Sequence, residues 1–134
     1  MVVLNGMPRS GKISIAEALQ AHRNFDVVMD VGHHGAYSRE LNLWEGCARE
    51  LGGLTYLLVG VECPLEVIWE RRKATWGQKR EEVDEGVLAS VEQGQAQIHV
   101  GLDYHLMVDT SEMTPDECAT AILTALNRSG DGVE

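Results

Sequence analysis

Short apolar runs alternate along this chain with stretches whose apolar residues recur at helical spacing. Val2-Val3-Leu4-Asn5 opens as an apolar run without polar alternation, the pattern of a buried strand. Residues 6–11 read as a loop. Ile15, Ala18, Leu19 and His22 share one face of a helix expected from Ile13 to His22. Asp26-Val27-Val28-Met29-Asp30 is a second short strand, and Gly32 to Tyr37 a loop. Leu41, Trp44, Ala48 and Leu51 line one side of a helix from Ser38 to Leu51, which Gly52-Gly53 stops. Leu54 to Val61 is the best strand in the chain. Pro64 suits the first turn of a helix from Leu65 to about Thr75. Trp76 to Gly86 is polar and reads as a mobile loop; Val87 to His99 returns to helical character. His105 to Asp109 is the last strand. Thr114 and Glu117 form a capping-box pattern ahead of a helix that turns Cys118, Ile122 and Leu126 inward.

Strands alternating with helices predict an α/β fold: a short, mostly parallel sheet of about four strands between two helical layers. The 134 residues fit one domain, expected over 1–128, with a small polar tail at 129–134.

Charge narrows the partners. The net charge is -10, which repels nucleic-acid backbones, so no nucleic acid is expected. No run approaches the roughly 20 apolar residues that cross a bilayer, and the N-terminus lacks a signal-peptide pattern, so the expectation is a cytoplasmic protein without a membrane partner. Cys47, Cys63 and Cys118 are far apart and form no Cys-x-x-Cys pair, which reads as reduced thiols in a core.

Gly6-Met7-Pro8-Arg9-Ser10-Gly11-Lys12 fits Gly-x4-Gly-Lys between an expected strand and an expected helix. In that context glycines let backbone wrap a phosphate, loop N–H groups and a helix N-terminus face the anion, and the lysine adds charge. The alternative is a plain strand-to-helix turn with a solvated lysine. One position departs from the pattern. The residue after the lysine normally carries a hydroxyl that binds Mg²⁺, and here it is Ile13; Ser14 lies about 100° further round the helix.

Asp30 ends an apolar strand and is a candidate to hold Mg²⁺ through water, or else a loop cap. His33 and His34 follow it as cleft residues, with a general-base role open to them. Arg71, Arg72, Lys73, Lys79 and Arg80 supply five of the eleven Lys and Arg. They read either as a lid that closes over phosphates or as a solvated helix end that complements the dipole.

These segments resemble the chloramphenicol phosphotransferase-like family of P-loop kinases. Leu4-Asn5-Gly6 with Ser10-Gly11-Lys12 resembles its phosphate loop, and Val59 to Ile68 its strand-to-helix segment. Glu70-Arg71-Arg72 resembles the start of its lid. His99, Tyr104, Val108-Asp109-Thr110-Ser111, Pro115 and Glu117-Cys118-Ala119 resemble its closing strand and helix. The resemblance implies a three-layer P-loop NTPase fold, ATP and Mg²⁺ as cofactors, and phosphoryl transfer to a hydroxyl of a small molecule. Departures stand beside it. His22-Arg23-Asn24 runs almost directly into Asp26-Val27-Val28, so the family's base-bearing strand and acceptor-binding region are missing; a family acid after the tyrosine is His105.

The expected catalytic residues are therefore Lys12, Asp30 and Arg71. Cofactor contacts are expected from Gly6, Met7, Pro8, Arg9, Ser10, Gly11, Lys12, Ile13, Ser14, Arg72 and Arg80, and metal contacts from Asp30 and Ser14. The competing reading is a truncated nucleotide-binding module with impaired catalysis. A newly exposed sheet edge makes a homodimer a candidate assembly.

Overall fold

Val2, Val3 and Leu4 are fully buried because β1 (Val2–Gly6) has a parallel neighbour on either side and helices over both faces. The computed structural model describes residues 2–22, 28–31, 49 and 56–133. Over these the chain continues through α1 (Lys12–His22), β2 (Val28–Val31), β3 (Leu57–Glu62), α2 (Leu65–Trp76), α3 (Glu85–Gln97), β4 (Leu106–Asp109) and α4 (Pro115–Val133). The helix expected from Ser38 to Leu51 falls outside them apart from Arg49, as do its glycine stop, His33, His34 and Cys47.

The four described strands form one parallel sheet in the order β2-β1-β3-β4. Val2 pairs with Val28 on one side and Leu57 on the other, and Val59 pairs with Leu106. Side chains alternate between the two faces. Leu4, Val59, Val61 and Val108 pack with Ile15 and Leu19 of α1 and with Cys118 and Ile122 of α4. Met7, Cys63, Ile68 and Trp69 pack with Val91 and Ile98 in a second core that takes in α2 and α3. The crossover from β1 to β2 thus uses one face and that from β3 to β4 the other. They run in opposite directions across the sheet and so share one hand, as parallel connections require. β2 pairs directly with β1, so no strand lies between them in the sheet.

Helix ends moved where side chains or backbone cap them. α2 runs on to Trp76 because Gly77, at φ 66, donates its N–H to Arg72 O and Lys73 O. α3 begins at Glu85, since the Asp84 carboxylate accepts from Val87 N at 2.8 Å. The Thr114–Glu117 capping box is present in both directions, at 3.0 and 3.1 Å. The backbone of α4 continues to Val133, past the tail expected from residue 129; each added residue gains a helical hydrogen bond and no proline interrupts. No described helix is long and apolar enough to cross a membrane.

Candidate functional site

β1 hands over to α1 through residues 7–11, which turn back on themselves. Ser10 N–H donates to Met7 O at 3.0 Å, and Ile15 N–H donates to Gly11 O at 3.1 Å as α1 begins. Arg9 lies at φ 69 and Gly11 at φ 109. The left-handed region costs a residue with a Cβ about 1–2 kcal/mol, so Arg9 must be held there by its surroundings. A Cβ on Gly6 would lie 2.5 Å from Val61 O and 2.7 Å from Ser10 Oγ, so glycine lets the loop fold against β3.

The loop is held from outside by residues distant in sequence. Thr110, just after β4, donates its hydroxyl to Ser10 O. Arg71 of α2 donates from Nη1 to Arg9 O and Thr110 Oγ1, and from Nη2 to Thr110 O, each at 3.0 Å. Two buried polar atoms of the loop, Ser10 Oγ and Arg9 Nε, have no hydrogen-bond partner among the described residues.

Beside the loop opens a cavity of about 540 Å³. Its lining holds three cations, Arg9, Lys12 and Arg71, and among the described residues no carboxylate. Lys12 is the first residue of α1, whose first turn has no acidic residue. The exposed Trp76 also lines the cavity and carries two guanidiniums, Arg9 at 5.1 Å and Arg72 at 4.8 Å from its ring centroid. Arg72 also lies over Trp69, at 5.3 Å, and donates from Nε to Gln78 Oε1 at 2.7 Å. Burial draws its pKa below the ordinary guanidinium value.

The expected site residues therefore separate into groups. Pro8, Arg9, Gly11, Lys12, Ile13, Ser14 and Arg71 line the cavity. Met7 and Ser10 are buried, and with Gly6 they frame the loop from behind. Arg72 stands behind Trp76. Arg80 pairs with Glu92 at 3.2 Å on the surface, away from the lining. The backbone of Asp30 pairs with Leu4, two residues before Gly6, and its side chain lies outside the described features. Ile13 is 60% exposed and brings no oxygen to the cavity mouth. Among the described residues no group of three His, Cys, Asp or Glu is arranged to hold a metal ion.

Sequence reasoning gave Thr110 no role and read Trp76 as loop. The motif Val108-Asp109-Thr110-Ser111 was the available signal for the first, and the tryptophan's seven-residue spacing from Trp69 along a helix face for the second.

A second polar cluster lies just behind the loop. Asn5 Nδ2 donates to Ile98 O at 3.0 Å and to the Tyr104 hydroxyl at 2.8 Å; that hydroxyl meets His99 Nδ1 at 2.6 Å. Burial lowers the His99 pKa, with Glu62 opposing, and raises that of Tyr104, with the Asn5 bond opposing. Burial likewise pushes the Cys63 thiol up, against a hydrogen bond with Thr110 and the charge of Arg71, so it stays protonated at neutral pH.

A parallel α/β/α sandwich with a glycine-bounded loop between its first strand and first helix is a P-loop kinase-like fold. The chain belongs to the chloramphenicol phosphotransferase-like family: the family model, described as chloramphenicol phosphotransferase-like protein, matches residues 21–127. The match begins after the 6–12 loop, so the backbone shape of that loop is an observation independent of it. A search of curated proteins found no match.

Proposed function

We propose that this chain binds ATP with its phosphates in the 6–12 loop and transfers the γ-phosphate to a hydroxyl of a small molecule. The carrying observation is the convergence of Arg9, Lys12 and Arg71 on one cavity at the leading end of α1, in a protein of net charge -10. Lys12 lines the cavity from the first position of α1, where a cation opposes the helix dipole and suits a bound anion. The orphaned Arg9 Nε belongs to a side chain that lines the cavity, and a phosphate oxygen there would satisfy it. Phosphoryl transfer needs positioning and charge neutralisation more than covalent chemistry, and these cations supply both. Family membership supports the reaction class.

Mg²⁺ would be held by Asp30, by Ser14 and by the phosphates themselves. The fit is poorer than for the nucleotide, because Ile13 stands where the pattern has a hydroxyl and Ser14 is turned further round α1. That observation favours a second reading, a nucleotide-binding module with little or no turnover. One experiment separates them: ATP titration with and without Mg²⁺, followed by ADP release across a panel of hydroxylated small molecules. Acceptor-stimulated ADP release supports the kinase. Binding without release supports the module, and absence of binding removes both.

A further inference from the structure

We infer that Thr110 is a positioning residue for the phosphate loop: its hydroxyl, aimed by Arg71, fixes the Ser10–Gly11 peptide plane and with it the direction of Gly11 N–H. The inference rests on the proposed reading of that loop as the phosphate site.

A guanidinium has N–H donors and no acceptor, so Arg71 Nη1 obliges Thr110 Oγ1 to accept. The single hydroxyl proton goes to Ser10 O, and the protonated Cys63 thiol, which also bonds Thr110, must then donate to the remaining lone pair of the hydroxyl oxygen. Thr110 is itself fixed, because its N–H donates to Glu62 O at 3.1 Å and extends the pairing of β4 with β3. Arg71 is fixed in turn by its bond to Thr110 O and by α2.

Two consecutive loop carbonyls are thereby tied to one residue pair, Arg9 O to Arg71 and Ser10 O to Thr110. A trans peptide is planar, with its C=O and the following N–H on opposite edges. Holding Arg9 O sets the direction of Ser10 N–H, which closes on Met7 O. Holding Ser10 O sets the direction of Gly11 N–H at the start of α1. Both planes lie between the strained Arg9, at φ 69, and Gly11, at φ 109. The threonine methyl has its own part: a Cβ on Gly11 would lie 3.0 Å from Thr110 Cγ2, so the methyl packs against the glycine.

The test uses the full chain with Thr110→Val, which keeps the shape and loses the hydroxyl, and Thr110→Ser, which does the reverse. Affinities for ADP and inorganic pyrophosphate are measured by calorimetry, and the Gly11 amide by NMR in the ligand-free protein. Thr110→Val is expected to weaken both ligands by about tenfold and to shift the Gly11 amide. Thr110→Ser is expected to stay within about threefold of wild type, with the amide nearly in place. Equal affinity in Thr110→Val, or equal weakening in Thr110→Ser, overturns the role of the hydroxyl. A wild-type chain that binds neither ligand removes the nucleotide reading instead. The Gly11 amide then still decides whether the clasp sets the loop, since an unmoved resonance in Thr110→Val overturns it without any ligand. Should Thr110→Val not fold, Thr110→Ala is read on the same scale.

Discussion

Arg71 and Arg9 stand 62 residues apart, and Arg71 Nη1 donates to the Arg9 carbonyl at 3.0 Å. The bond joins α2 to a loop residue in the left-handed region, so it holds local strain as well as tertiary structure. In Arg71→Gln, the Arg9 and Thr110 carbonyls lose a charged donor. Stability should fall by about 1.5–3 kcal/mol, the usual range for hydrogen bonds to charged groups. Arg71→Lys should fall between, since one ammonium cannot reproduce a fork that serves both carbonyls. Urea unfolding of the three proteins checks this, and equal midpoints would show that the bond holds nothing.

Lys12→Ala should behave differently. Removing a cation from the first position of α1 relieves an unfavourable interaction with the helix dipole, so any loss of stability should be small beside that of Arg71→Gln. ATP affinity should fall by about tenfold or more as the phosphates lose a charge partner. Thermal melts and an ATP titration of the same preparations read both effects. A destabilised variant with unchanged affinity would give Lys12 a structural role and deprive the phosphate reading of its central residue.

The contrast between these two residues marks what could be read from the chain alone. Lys12 was legible because its partners are local: a strand, a glycine-bounded loop and a helix follow one another within a dozen residues. The capping box of α4 was legible for the same reason, with its two partners three residues apart. Thr110 meets Ser10 across 100 residues and Asn5 meets Tyr104 across 99, and no periodicity or spacing encodes such pairs. The role expected of Arg80 rested on clustering in sequence. The turn at residues 80–83 and α3 carry it instead to Glu92, where an exposed pair is worth roughly 1 kcal/mol at most.

Ile13 offers a gain-of-function test. Its side chain is 60% exposed at the cavity mouth, so Ile13→Thr should change stability by less than about 0.5 kcal/mol. The new hydroxyl adds an oxygen where the phosphate-loop pattern supplies one to Mg²⁺. The ratio of ADP affinity with Mg²⁺ to that without should rise by roughly threefold to tenfold, the share of one metal–oxygen contact. Calorimetry in Mg²⁺ and in EDTA gives the ratio directly. A ratio equal to that of wild type would mean that the metal, if bound, is held elsewhere and that Ile13 is no impediment.

His99 makes the fold sensitive to acid. Its Nδ1 meets the Tyr104 hydroxyl at 2.6 Å, and that hydroxyl in turn accepts from Asn5, one residue before Gly6. Burial holds the His99 pKa below its ordinary value of 6.5. In the window between the folded and unfolded pKa, the unfolded chain binds more protons, so stability rises with pH there. The contribution of the neutral imidazole is therefore complete above pH 6.5 and is lost as pH falls through the folded pKa. His99→Asn keeps an acceptor near the Nδ1 position and cannot titrate. Carboxylates titrate alike in both proteins and cancel in the comparison. The difference in unfolding free energy, wild type minus variant, should be flat above about pH 7.5 and should shrink as pH is lowered from 7 to 5. Urea melts across that range measure it. A difference that stays constant, or grows towards acid, would mean that His99 takes up its proton at least as readily in the folded chain as in the unfolded one.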